Sequence, residues 1–349
     1  MRNLMMKFKT VICALLLLPV LSCSPFEDYE GGYPDTPSGN FEALWHIMDT
    51  RYCYFTVKRQ QLGVDWNDVY DRYRPCISDN MSYYNLFEVL AAMLNELQDG
   101  HVNLYGPYDI SGNSHWKTDS LENFSPKIQK LYLGENYRMV TSGYNYTILN
   151  DNTGYLYISS FSKTISDSQL DAVLSYFALC NGLIIDIRCN GGGYVSVAEQ
   201  IASRFTEEKV LVGYQSYKNG DGHDDFSKPE PRYIEPASGH IRWHKPVALL
   251  TNRGCFSAAN DFTLMMKAMP KARRFGDRSG GGGGLPASSE LPCGWSVRFS
   301  SGPTYDASMN EIETGIEPDV KVLMPDDCTD SDPIIEAARE WIGSLLVNP

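Results

Sequence analysis

Apolar residues recur at helical spacing early in the chain. Phe41, Leu44, Trp45, Met48 and Tyr52 fall on one face, Asp65-Trp66 opens a second pattern through Val69 and Tyr70, and Asn85 is read as the cap of a third. That third pattern is the clearest: Leu86, Val89, Leu90, Met93, Leu94 and Leu97 lie at i, i+3, i+4, i+7, i+8 and i+11, and Gly100 ends it. The spacing predicts a helical N-terminal domain over residues 40–105. Residues 106–150 carry only short strand-like runs, around Trp116, at Leu131-Tyr132-Leu133 and over Tyr144 to Ile148, and read as a connecting subdomain.

From Gly154 the pattern becomes a regular alternation of strand and helix, which predicts an α/β domain over 151–349. Tyr155 to Ile158 is a strand; Ser166 with Gln169 forms a capping box ahead of Leu170, Val173, Leu174 and Phe177, and Asn181-Gly182 stops that helix. Leu183 to Arg188 is apolar enough for a strand buried on both faces, and it runs into Asn190-Gly191-Gly192-Gly193 before a helix through Val197, Ile201 and Phe205. The next unit pairs a strand over 247–251 with a helix over about 258–268. Trp295 to Phe299 and Val320 to Leu323 read as further strands, and Pro333 to Leu346 as a closing helix with Ile334, Ala337, Trp341 and Leu345 on one face. Gly280 to Gly284 reads as a loop able to fold over a site.

The N-terminus has a different character. Arg2, Lys7 and Lys9 precede an apolar stretch, Val11 to Val20, too short to span a bilayer, and Val20-Leu21-Ser22-Cys23 resembles a lipoprotein cleavage box. The expectation is a signal peptide over 1–22, a lipid on Cys23, and a flexible tether over 23–39 rich in Pro, Gly and acids. The acidic start after Ser24 points to anchoring in the outer membrane, on its periplasmic or surface face. With 43% hydrophobic and 21% charged residues the chain as a whole has an ordinary globular composition, and its net charge of -13 argues against nucleic acid as a partner. Nine cysteines are present; without Cys13 and Cys23, seven remain, so at least one thiol is unpaired or paired between chains. No Cys/His spacing suggests a metal, and nothing suggests a cofactor.

Three segments carry candidate chemistry. Ser257, in Thr251 to Asp261, falls at a strand-to-helix turn, where a hydroxyl is presented at a sheet edge and the first helix N–H groups point at whatever it attacks. A plain N-cap, with Asn260 completing a capping box, explains the same residue. The glycines at 191–193 free backbone N–H groups to approach a ligand; phosphate binding, an oxyanion hole and a tight structural turn all use such a segment, and the absence of a following Lys-Ser/Thr argues against nucleotide. His101, after Asp99 and just beyond a helix C-terminus, is either structural or free to point outward and act, and the helix dipole favours its charged form. Cys255 reads as a small buried thiol rather than a nucleophile.

Taken in order, Asp186 to Gly193, Thr251 to Asn260 with Ser257-Ala258-Ala259, and Gly315-Ile316-Glu317-Pro318-Asp319 resemble the C-terminal processing (tail-specific) serine peptidases; Gly276 to Gly281 resembles that family's loop after the nucleophile helix. The resemblance covers residues 40–349 and implies a crotonase-like (ββα) spiral catalytic domain beside a helical N-terminal domain. Some members pair Ser with Lys, but that place falls at Gly282. The tricorn-like branch instead uses a His and a Glu, and Gln98-Asp99-Gly100-His101 and Glu313 match its positions, with Gly100 where a Ser stands in that branch. The resemblance therefore implies Ser257 as nucleophile, His101 as base and Glu313 as the acid acting directly or through water, with Glu311 the alternative acid. It implies Ala258 with Gly192 or Gly193 as the oxyanion hole. The implied function is an exported, lipid-anchored serine endopeptidase acting on peptides or on unfolded and C-terminal protein segments. An inactive peptide- or ligand-binding lipoprotein on the same fold, similar to the family's retinoid-binding relatives, is the competing class.

Overall fold

The computed structural model describes residues 32–112 and 123–347. The signal peptide, Cys23 and Trp116 lie outside the described residues. Four helices come first: α1 (Pro37–Arg51), α2 (Phe55–Leu62), α3 (Trp66–Tyr73) and α4 (Tyr83–Asn95). The tether is shorter than its predicted end at residue 39, because Thr36 accepts a hydrogen bond from the Gly39 N–H and caps α1. Asp65 caps α3. Ser82, not Asn85, caps α4: its hydroxyl accepts the Asn85 N–H at 3.2 Å, and the helix ends before Glu96 rather than at Gly100.

These helices do not form a core by themselves. Phe41, Leu44, Ile47, Leu86, Leu90 and Leu94 pack with Leu291, Trp295, Val297 and Phe299 in one apolar cluster. The latter belong around a hairpin of β10 (Leu285–Glu290) and β11 (Ser296–Gly302), and β1 (Asn103–Tyr105) adds to it, with Leu104 opposite Val297. The helical part thus shares its core and a sheet with residues from the far end of the chain.

The connecting stretch divides differently from its reading. Leu131-Tyr132-Leu133 ends a helix, α5 (Pro126–Leu133), capped by Ser125; Ile128 and Leu133 are the buried side of its helical face. β2 (Arg138–Thr141) and β3 (Tyr144–Ile148) belong to the main sheet, where β3 pairs antiparallel with β4 (Gly154–Ile158) over five residue pairs. The α/β layer therefore reaches back to residue 138.

That sheet has seven strands in the order β13-β9-β8-β5-β4-β3-β2, with β5 (Leu183–Asp186), β8 (Val247–Thr251), β9 (Ala272–Gly276) and β13 (Val320–Lys321) all parallel to β4. Alternate side chains enter two cores, as the pleat requires. Leu183, Ile185, Val247 and Leu249 face α6 (Asp167–Tyr176), α7 (Val195–Ala202) and α8 (Ala258–Ala268), while Ile184, Ala248 and Leu250 face α5 and α9 (Pro333–Val347). The capping box of Ser166 and Gln169 opens α6. A three-stranded sheet of β12 (Thr304–Asp306), β6 (Val210–Gln215) and β7 (Glu230–Ile234) stands beside α8. Parallel strands collect their C-terminal loops along one edge. Here the loops after β5 and β8 lie side by side, and they hold the glycine turn and Ser257.

Candidate active site

The loop after β5 is fixed from below. Arg188, fully buried, donates to both oxygens of Asp186, to Asp332 Oδ2 at 2.7 Å and to the Asn123 carbonyl, so its charge is paired within the low-dielectric interior. Beyond it Asn190 donates to Ile158 O at 3.1 Å and accepts the Gly192 N–H at 2.9 Å, while its carbonyl takes the Phe256 N–H. Gly192, at φ +100, lies so close to the Ser257 loop that a Cβ there would meet Phe256 O at 2.6 Å and Ser257 Cβ at 2.9 Å. Only glycine permits that approach.

Ser257 holds the N-cap position of α8, yet its hydroxyl caps nothing, and its backbone sits at φ 56 and ψ -122, a region non-glycine residues rarely occupy. Its N–H donates to Gly281 O at 2.9 Å. The capping-box partner suggested for it is also otherwise engaged: Asn260 is buried, donating to Ile312 O at 3.0 Å and accepting from Ser279 Oγ at 2.6 Å. The Ser257 hydroxyl instead meets His101, with Nε2 and Oγ 2.9 Å apart across 156 residues of chain.

His101 is not outward-facing; 2% of it is exposed, and its ring packs on Phe256 with centroids 4.8 Å apart. Burial pushes its pKa down to about 4, with Asp99 opposing and Arg298 and Lys58 assisting. The expected gain from a helix dipole is absent because α4 stops short of it. Near neutrality the ring is therefore uncharged and able to accept a proton at Nε2. Asp99 anchors the segment by accepting the His101 backbone N–H at 2.7 Å, the Tyr52 hydroxyl at 3.0 Å and the Ser300 hydroxyl at 2.9 Å.

Glu313 does not bond the imidazole directly, since Nδ1 of His101 has no hydrogen-bond partner among the described residues. Its carboxylate is occupied by Lys58 Nζ at 3.1 Å and by the Gly283 N–H at 3.0 Å. Burial, then the charge of Asp99, holds Glu313 above the usual carboxylate range, and Lys58 pulls it back. Glu311, also near Lys58, is pushed up to about 7, chiefly by burial. Of the proposed oxyanion donors, Ala258 begins α8 with its N–H at the open helix end, and Gly193 gives its N–H to no group among the described residues. Gly192 is corrected from donor to spacer, because its N–H is held by Asn190.

The glycine run is no free lid. Phe256 bridges to Gly281, Gly282 N donates to Glu313 O at 3.0 Å, and at Gly282 a Cβ would strike the Phe256 ring at 2.5 Å. Cys255 donates to Ile187 O at 3.1 Å and its thiol is pushed up by burial, so it stays protonated. No disulfide joins the seven described cysteines, and no group of His, Cys, Asp and Glu among the described residues could hold a metal. A cleft of about 290 Å³ opens beside Ser257, lined by Val195, Ala258, Leu285 and Ile312, with Arg232 paired to both oxygens of Asp261 on its wall.

Lys58 is the one site residue with no sequence signal. It lies on α2, an eight-residue helix with only three apolar residues, Phe55, Val57 and Leu62, too few to mark a buried face, so it reads as one more solvated charge. The side-chain roles of Asn190 and Asn260 were likewise invisible, although both stand inside the motifs.

The family profile of peptidase family S41 matches residues 152–322, and that of the tricorn protease C1 domain matches residues 33–95. The crystal structure of a candidate peptidase from Parabacteroides merdae superposes with a TM-score of 0.82 at 46% identity, covering 88% of this chain and 96% of that one. The chain belongs to peptidase family S41. Among curated S41 relatives, the carboxy-terminal processing protease CtpA of Bacillus subtilis is 27% identical over 179 residues, 51% of this chain and 36% of its own length. The carboxyl-terminal-processing peptidase 3 of Arabidopsis thaliana is 26% identical over 171 residues, 48% of this chain and 31% of its own. The chain thus spans about a third of the length of these curated relatives. Mature CPAF in complex with lactacystin shares the mixed α/β fold at 14% identity, with a TM-score of 0.66 over 89% of this chain and 97% of that one.

Proposed function

We propose that this S41 chain is a serine endopeptidase in which Ser257 attacks a peptide carbonyl and His101 takes its proton at Nε2, later returning it to the leaving amine. The observation that carries the reading is the 2.9 Å contact between His101 Nε2 and a Ser257 hydroxyl that is freed from capping and held on a strained backbone. Ala258 and Gly193 are the oxyanion donors in this reading. Glu313 acts from behind, through the glycine run or a bridging water rather than by a direct bond to the imidazole. The placement of α6, α7 and α8 on one face of the sheet supports a crotonase-like spiral.

The substrate class proposed is peptides and unfolded or C-terminal protein segments, which would enter the cleft of about 290 Å³ beside Ser257. The site proposed is the cell envelope, with export directed by residues 1–22 and a lipid on Cys23 holding the protein at the outer membrane. Among the described residues no helix is long and apolar enough to cross a membrane. Two measurements test this. Denatured casein should be cleaved by the wild type and not by a folded Ser257→Ala; equal cleavage would remove the nucleophile. The full chain should fractionate with outer membranes and Cys23→Ser with soluble protein; inner-membrane recovery of the wild type would refute the location.

A further inference from the structure

Lys58 is 4% exposed, and a buried ammonium is costly unless paired and hydrogen-bonded. Its Nζ donates to Glu313 Oε1 at 3.1 Å and lies 3.4 Å from the Gln98 carbonyl. The second Glu313 oxygen accepts the Gly283 N–H at 3.0 Å, and Gly281, two residues earlier, accepts the Ser257 N–H at 2.9 Å. A continuous set of bonds therefore runs from Lys58 through the Glu313 carboxylate and the glycine run to the backbone of Ser257. Both Glu313 oxygens receive donors, an arrangement only the ionised carboxylate satisfies fully, since a protonated one would bring its O–H against an N–H.

We propose that Lys58 is a positioning residue for the hydrolysis assigned to Ser257 and His101: it favours the ionised form of Glu313, holds that carboxylate seated against the glycine run, and so fixes the nucleophile loop. The inference rests on that catalytic reading. The groups around Glu313 make the cation necessary. Asp99 faces it from the segment after α4, Glu311 from its own strand-end turn, and Tyr52, Cys53 and Tyr54 from the turn after α1; Asp99 in turn faces His101, which also feels Arg298. Three carboxyl groups thus share one buried space with Lys58. Burial alone would pull the Lys58 ammonium down, but Glu313 and Asp99 outweigh it and hold it up. Removing the cation takes the donor from Oε1, lets Glu313 hold a proton to higher pH, and leaves the carboxyl held by the Gly283 N–H alone, free to turn and carry the glycine run with it.

The test is Lys58→Met, with kcat, KM and the pH profile of kcat/KM on a fluorogenic peptide. A displaced nucleophile loop predicts a fall in kcat of about 10²-fold with KM little changed. The acid limb should move up by about one pH unit or more, because Glu313 then ionises later. Glu313→Gln should show the same loss, and the double variant should be no worse than either single one, as expected for residues acting through one another. A wild-type profile in folded Lys58→Met, or losses that multiply in the double variant, would overturn the proposal. Lys58→Arg covers the case of a misfolded Met variant: the retained cation should hold the acid limb in place, and a limb displaced as far as in Lys58→Gln would equally overturn it. A readout independent of turnover is the pH dependence of the Tm difference between wild type and Glu313→Gln. Its midpoint should move to higher pH on a Lys58→Gln background, and an unmoved midpoint contradicts the inference. If the wild type shows no Ser257-dependent turnover, the catalytic reading fails while this Tm midpoint still decides whether Lys58 favours the ionised form of Glu313.

Discussion

Replacing Gly192 by alanine tests the packing of the glycine turn against the nucleophile. The added methyl would lie 2.6 Å from Phe256 O, 2.9 Å from Ser257 Cβ and 3.0 Å from the Ala258 nitrogen, all closer than ordinary contact. Backbone is met on two of the three sides, so no side-chain rotation relieves the clash. Gly192 also sits at φ +100, outside the range an alanine adopts easily. Overpacking costs about 1–3 kcal/mol and the strained backbone about 1–3 kcal/mol, giving a destabilisation of roughly 2–6 kcal/mol. The same methyl stands between the glycine turn and the Ala258 N–H, so it would push an oxyanion away from that donor. Losing one such donor lowers kcat by about 10²–10³-fold. Peptide hydrolysis by the folded variant, measured well below its Tm as established by circular dichroism, separates the two effects. Retention of kcat within about threefold of wild type would show that the turn does not border the oxyanion site.

Other expectations can be checked on the same preparation. His101→Ala should lower kcat/KM by about 10²–10⁴-fold. Lys267→Ala should leave it near wild type, since Lys267 pairs with Asp306 at 2.8 Å in the last turn of α8, at the opposite end from Ser257; equal losses would point to a lysine-based mechanism. Glu311, held at about 7 by burial, keeps a proton in the folded protein that the unfolded chain has already released. Its contribution to stability is complete below the ordinary Glu pKa of about 4.3 and is lost as pH rises through about 7. The Tm of Glu311→Gln relative to wild type should therefore climb between about pH 4.3 and pH 7 and level off above, and a flat difference would contradict this.

Much of the α/β layer was legible because its signals are local. The run Leu183 to Arg188 reads as a doubly buried strand, and the helix after Ser257 begins at Ala258 as its apolar spacing indicates. The Ser257–His101 pairing became legible only through resemblance, since no local pattern links residues 156 positions apart. What escaped depends on tertiary placement. Leu131-Tyr132-Leu133 alternates like a strand, but Ser125 and Pro126 start a helix that buries Ile128 and Leu133 against the sheet. His101 was expected to gain from a helix end, whereas the packing of Phe256 and the loss of solvent decide its charge. Lys58 is the sharpest case: its role depends on Glu313, 255 residues away, and on a short helix with too few apolar residues to mark a buried face.

The central claim, that Ser257 is a nucleophile activated by His101, is tested most directly by trapping its acyl adduct. Wild-type protein and His101→Ala would be incubated with an activated p-nitrophenyl ester, quenched in acid and digested, and the peptide carrying Ser257 weighed by mass spectrometry. The account predicts an acyl increment on Ser257 in the wild type that forms at least about 10²-fold more slowly in His101→Ala. An adduct on another residue, or equal rates of acylation with and without His101, would contradict it.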